Sequence, residues 1–212
     1  MSSIWERLEK HLLNVEKPAR YIGLEQGVQQ PKHDETNVAW LLTYPDTYEV
    51  GFPNQGLQIL YEIINESENS EAERAYAPWV DLEQIMREEN IPLFSVDTHR
   101  PAAEFDVVAF NLSSELVYTN LINCIDLARI PVRSSQRGIN DPLIGAGGHC
   151  TYNPEPLGDI VDFFVLGDGE EVVTEITNAI HKFKSRTDVN RDRDMLLKKL
   201  AAIEGVYVPS LY

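Results

Sequence analysis

Residues 37–64 read NVAWLLTYPDTYEVGFPNQGLQILYEII, an apolar run that empties into a turn-rich loop and then into an amphipathic helix. Val38, Trp40, Leu41 and Leu42 are strand formers, whereas Tyr44-Pro45-Asp46 and Gly51-Phe52-Pro53-Asn54 can continue neither a strand nor a helix. Asn54 is a natural N-cap, because its side-chain oxygen can accept from a first-turn amide, and Leu57, Leu60, Tyr61 and Ile64 then share one helical face. The segment reads as the first strand-to-helix unit of an α/β domain. In open parallel sheets ligands sit where strands end at their carboxyl termini, so the loop of about ten residues between these elements is expected to carry function.

Upstream, Ser2 or Ser3 caps a first helix in which Ile4, Leu8 and Leu12 recur, ending before Pro18 and read as an appendage to the sheet. Residues 22–36, with Gln26, Gln29, Gln30, Pro31, Lys32 and Asp34, show no periodicity and read as a surface linker. Downstream, the polar stretch 65–73 reads as an exposed loop, with a short strand at 74–77 and a helix carrying Val80, Leu82, Ile85 and Met86 to about Asn90. Further strands are expected at 93–96 and 107–110. Ser113 and Ser114 open a helix with Val117, Leu121, Cys124 and Ala128 on one face, closed by Pro131. Strands at 143–146 and 163–166 each run into glycines, and a helix aligning Val172, Ile176, Ala179, Ile180 and Phe183 follows the second.

A polar linker, 185–194, leads to a last helix over 195–203, striped by Met195, Leu196, Leu200 and Ile203. Gly205-Val206-Tyr207-Val208-Pro209 then resembles a strand with no partner in the remaining sequence; it is expected to be unsupported, and the sequence to be part of a longer chain. Alternating strands and helices predict an α/β fold, a doubly wound, mostly parallel Rossmann-like sheet with helices on both faces. Three parts are expected: an N-terminal helix and linker over 1–36, the sheet domain over 37–184, and a linker helix with the start of a connection over 185–212.

The chain has 34 acidic and 18 basic side chains, a formal charge of −16, and seven of the basic residues crowd into 182–199. Such a surface suits phosphate backbones poorly, so nucleic acid is not an expected partner. Cys124 and Cys150 form no CxxC pair and build neither a disulfide framework nor a thiolate zinc site. No apolar run approaches membrane-spanning length and no signal-like segment follows Met1, so a soluble, cytoplasmic protein is expected.

Three Gly- or Pro-rich strand-to-helix loops, 44–54, 145–153 and 167–171, are candidate walls of one cleft. Asp46, Glu49, Asp168, Glu170 and Glu171 would repel phosphate there and would suit ribose hydroxyls, amides or an ammonium group. Leu166-Gly167-Asp168-Gly169-Glu170-Glu171 has a second reading, a capping box of Asp168 with Glu171. Asp97-Thr98-His99-Arg100-Pro101-Ala102 imitates the D-x-H-x-x-G spacing of a cobalt-ligating histidine, but it follows the wrong strand and has Ala102 in place of glycine. His99 is therefore read as a structural loop histidine, with an acid/base role as the alternative. His149-Cys150 invites a nucleophile reading that the acidic chain disfavours, since acids raise a thiol pKa, and Cys124 on its apolar stripe reads as a small hydrophobe.

The blocks LLTYPDTYEVGFPNQGLQILYEIIN, AERAYAPWVDLE, IPLFSVDTHRP, FDVVAFNLSSEL, GGHCTYNPEPLGD and FFVLGDGEEV, in this order, together with the N-terminal helix and the closing GVYVPSLY, resemble the N-terminal region of a bacterial and archaeal family of radical S-adenosylmethionine proteins. In that family these blocks form a cobalamin-binding-like domain ahead of a catalytic barrel. The resemblance implies an accessory domain whose partner is the C-terminal barrel of the same protein, where a CxxxCxxC loop holds a [4Fe-4S] cluster and S-adenosylmethionine. This sequence has no such loop, so catalysis and metal ligation are not expected within it. Cofactor-facing positions are expected at Tyr44, Tyr48, Gly51, Asn54, Ser113, Gly147, Gly148, Gly167, Gly169 and Glu170, with cobalamin as the candidate ligand. No histidine follows the first strand, which leaves open a scaffold without a cofactor, or a stand-alone small-molecule module.

Overall fold

The computed structural model describes residues 3–25, 28, 34, 36–185 and 192–212. The linker expected over 22–36 lies largely outside these residues, including Gln26, Gln29, Gln30, Pro31 and Lys32, as does most of that over 185–194.

Six strands, β1 (Val38–Tyr44), β2 (Ser70–Tyr76), β3 (Val107–Asn111), β4 (Leu143–Gly147), β5 (Phe163–Val165) and β6 (Val206–Tyr207), form one sheet in the order β2-β1-β3-β4-β5-β6. The first five are parallel and only β6 is antiparallel. Residues of β1 alternate between two cores. Ala39 and Leu41 enter a cluster with α1 (Ile4–Leu8), α4 (Val80–Glu88) and α5 (Tyr118–Leu127), while Val38, Trp40 and Leu42 enter a second with α3 (Gln55–Glu66), α6 (Val172–Lys184) and α7 (Arg193–Leu200). Helices thus cover both faces, and all seven β1 residues are buried. This is the doubly wound α/β Rossmann-like architecture expected.

The local signals act as read. Asn54 caps α3 by accepting from Leu57 N at 2.9 Å, and Leu57, Tyr61 and Ile64 are buried, each stabilising by about 1.5–3 kcal/mol. Ser3 caps α1 in a reciprocal capping box with Glu6, and Ile4 and Leu8 are buried in the sheet's own core. A short helix, α2 (Tyr48–Gly51), interrupts the loop after β1.

Three readings are corrected. Residues 70–73, read as the end of an exposed loop, open a fully buried strand that runs on to Tyr76 through the strand expected at 74–77. Their polarity misleads because each charge meets a partner: Arg100 pairs with Glu71 at 3.0 Å, Ser95 and Thr98 hydroxyls donate to Glu73, and Arg74 pairs with Asp97 at 2.6 Å. Conversely, 93–96 is not a sheet strand; it forms one isolated bridge, Phe94 with Pro101, because the chain turns back at His99, whose φ is +60°. The third concerns 205–209, which has its partner upstream: Val206 pairs with Val165 and Tyr207 with Phe164. α6 and α7 return the chain to that edge, so a search for a following hairpin misses it. We expect slow hydrogen exchange at the Leu166 amide, which donates to Gly205 O at 2.8 Å, and at the Val206 amide, which donates to Ile203 O at 3.1 Å; exchange at the unprotected rate would detach β6 from the domain.

Candidate functional site

Strand order reverses between β1 and β3, since the chain runs from β1 outward to β2 and then back across β1 to β3. At such a switch point adjacent loops diverge and leave a crevice at the carboxyl end of the sheet. A cleft of about 360 Å³ lies there. Its floor is apolar, built by Trp40 and Leu42 of β1, Ala109 of β3 and Phe163 and Val165 of β5; its walls are Leu57 and Leu60 of α3 and Val173 and Ile176 of α6. Trp40 is fixed by its indole N–H, which donates to Thr177 Oγ1 at 3.1 Å. Gly145, opposite Phe163 in the sheet, is required for this floor, because a Cβ there would lie 2.4 Å from Phe163 Cζ.

The mouth is polar. Asn54 and Asn111 tie the loops after β1 and β3 together, Nδ2 of Asn111 lying 3.4 Å from Oδ1 of Asn54, and the Ser113 hydroxyl donates to Asn111. The loop after β4 contributes Gly147, Gly148 and His149, and the loop after β5 contributes Gly167, Asp168, Gly169 and Glu170. Gly148, at φ +106°, sits where a side chain would meet Leu112 O at 2.9 Å, and Gly167, at φ +107°, is likewise in a region that disfavours other residues. Thr151 Oγ1 clamps the two loops, 2.8 Å from Gly148 O and 2.9 Å from Val165 O.

Seven of the ten expected site residues therefore meet at one cleft: Asn54, Ser113, Gly147, Gly148, Gly167, Gly169 and Glu170. Tyr44, Tyr48 and Gly51 do not line it. Tyr48 donates to Glu25 at 2.7 Å and stacks on Phe52 and edge-on to Tyr76, and burial, with the Glu25 carboxylate, raises its pKa. Gly51 lies against Tyr76 and Tyr44, a Cβ there falling within 2.7 Å of both. These three residues anchor the first loop over β2. Sequence reasoning missed Asn111, although a lone polar residue ending an apolar strand was a visible signal.

Charge is divided unevenly among the loops. Glu49 on α2 accepts from Lys17 at 3.0 Å and Arg20 at 2.8 Å; burial works against its ionisation, but these bonds hold the carboxyl down at about 2. Asp168 and Glu170 are exposed and carry no such pairing among the described residues. The capping reading of this segment is overturned: the N-cap of α6 is Glu171, and no side chain caps it.

His99 faces away from the cleft. Its Nε2 is 2.8 Å from Tyr21 O, its ring packs between Trp5 and Phe94, and burial lowers its pKa, while Asp97 is engaged by Arg74. Burial pushes the Cys124 thiol up to about 12, and burial with Glu115 raises that of Cys150, so neither favours a thiolate. Among the described residues, no group of three or more His, Cys, Asp or Glu could hold a metal ion, and no helix is long and apolar enough to cross a membrane.

Comparison with curated protein sequences yields no match. The model of the family described as radical SAM proteins, N-terminal, matches residues 56–209, spanning most of α3, the loops after β3, β4 and β5, and β6. With most of its length matched, the chain belongs to the family of radical SAM proteins, N-terminal.

Proposed function

We propose that this domain serves a radical S-adenosylmethionine enzyme as a ligand-holding accessory domain, its cleft set beside the catalytic barrel of the same protein. The family match supports the accessory role, and the apolar-floored cleft at the strand-order switch point supports a bound ligand. The cluster and S-adenosylmethionine belong in this reading to the barrel.

Cobalamin is the first occupant to test. The residues fit part of it: the slot is apolar, and Gly147 and Gly167 leave loop backbone open to a bulky macrocycle. Tyr48 of the loop after β1 is held by Glu25 and stands outside the cleft lining. A corrinoid would supply alkyl-transfer chemistry when bound, and the backbone and small side chains of the cleft loops would hold it.

A second reading, a scaffold that binds no cofactor, draws support from Leu116 and Tyr152, 88% and 74% exposed on the loops after β3 and β4, which suit packing against another domain. Desalting the protein after incubation with hydroxocobalamin separates the two. Retained visible absorbance is expected, unchanged in His99→Ala and weakened about tenfold or more in Gly169→Val, whose side chain would press on Leu60 from 3.3 Å. A colourless protein leaves the scaffold reading.

A further inference from the structure

The three loops that close the cleft on the β3, β4 and β5 side carry Glu115, Asp168, Glu170 and Glu171 and not one lysine or arginine between residues 111 and 118, 147 and 153, or 166 and 171. Glu49 on the remaining loop is neutralised by Lys17 and Arg20, and it stands outside the cleft lining. The net electrostatic character of the mouth is thus set by carboxylates, two of which, Asp168 and Glu170, exposed and without an ion pair among the described residues, line the slot directly. A phosphate entering the slot would pass between these carboxylates.

Below the mouth, the slot is apolar and has a volume of about 360 Å³. The Phe163 side chain lies over Gly145, and Ala109 leaves the middle of the floor low between Trp40 and Phe163. Hydroxyl and amide acceptors stand at the rim, where a ring's substituents would emerge: Asn54, Asn111 and Ser113 on one side, the two carboxylates on the other.

Resting on the reading of the cleft as a ligand site and narrowing its occupant, we infer that the site selects a nucleoside and rejects the nucleotide. The heterocycle occupies the apolar slot, and ribose hydroxyls, or an ammonium in place of the 5′-hydroxyl, donate to Asp168 and Glu170. Selection comes from charge at the mouth, not from shape in the slot.

A charge series on one ring system tests this by titration calorimetry on the whole chain: 5′-amino-5′-deoxyadenosine, adenosine, AMP and ATP, with hydroxocobalamin run alongside. Affinity should fall in that order, adenosine binding about tenfold or more tightly than AMP at low salt, with the gap shrinking as salt screens the carboxylates. Asp168→Asn with Glu170→Gln, both at exposed positions, should bring AMP to within about threefold of adenosine, since the repulsion is removed. Leu60→Trp, at a half-buried helix position facing the slot, should abolish binding of the whole series. AMP or ATP binding more tightly than adenosine would overturn the inference, as would an adenosine-to-AMP gap unaltered by the double substitution. Binding of hydroxocobalamin with no nucleoside binding would overturn it too while leaving the ligand site standing; no binding by any probe would remove both.

Discussion

Asp162→Asn is expected to destabilise the fold by about 3–5 kcal/mol, a large share of a typical domain's stability. The Asp162 carboxylate is 1% exposed and meets three donors: Arg137 Nη1 at 2.6 Å, Arg193 Nη2 at 2.8 Å and the Ile144 amide at 2.7 Å. Both guanidiniums have further work. Arg137 also donates to Pro131 O, Val132 O and Ile160 O, and Arg193 to Gly138 O, Asp141 O and Pro142 O, so the carboxylate fixes the two cations that hold the chain leading into β4 and dock α7. Burial lowers the Arg137 pKa even with Asp162 beside it, a sign of how poorly that cation tolerates the interior. Urea unfolding of the variant measures the loss, and a midpoint matching wild type would show that the backbone carbonyls alone suffice.

Arg74→Met should cost a similar amount, about 3–5 kcal/mol at neutral pH, because it leaves the fully buried Asp97 carboxylate without its cation. The penalty depends on pH in a known direction. Burial, opposed by Arg74, already raises the Asp97 pKa, and losing Arg74 raises it further. A carboxyl whose folded pKa exceeds its unfolded value favours folding most when protonated, below the unfolded pKa, and loses that contribution as pH rises through the folded value. Arg74→Met should therefore approach wild type on acidification. Adding Asp97→Leu should recover most of the stability at neutral pH, since an apolar pair replaces an ion pair at little cost. If the double variant is as unstable as the single, the Asp97 bond to the Arg74 amide, 2.6 Å long, carries the energy instead.

These two networks also mark the limit of what the sequence discloses. The sheet was legible because β1, β3, β4 and β5 are short apolar runs ending in glycine or turn residues, and the helices because Leu57, Tyr61 and Ile64, or Val173, Ile176 and Ile180, repeat at helical spacing. Of β2 only the end, expected at 74–77, was legible, because hydrophobicity cannot anticipate that Glu71, Glu73 and Arg74 will be buried against residues 95–100. β6 was read as a strand, but its pairing was not, because its partner lies some forty residues upstream. The candidate site divides in the same way. Glycines at strand ends betrayed the loops after β4 and β5, while the split of the first loop, Asn54 in the cleft but Tyr44, Tyr48 and Gly51 over β2, follows from the packing of α2 on Tyr76 and has no signature in residue type.

The outer edge of β2 would ordinarily be a row of unpaired amides and carbonyls, a template on which another chain could add a strand. Here the Asn65 side-chain amide occupies both groups of Ala72, donating to its carbonyl at 3.1 Å and accepting from its N–H at 2.9 Å. Asp97 takes the Arg74 N–H, and the Val96 amide donates to the Arg74 carbonyl at 2.8 Å. At the other end of the sheet, β6 caps β5 for two residues before Pro209 stops it. Side chains thus impersonate a seventh strand on one border, and a stub closes the other. Strand addition at the β2 border is thereby disfavoured at the described residues, which leaves helices and loops as the surfaces better suited to assembly.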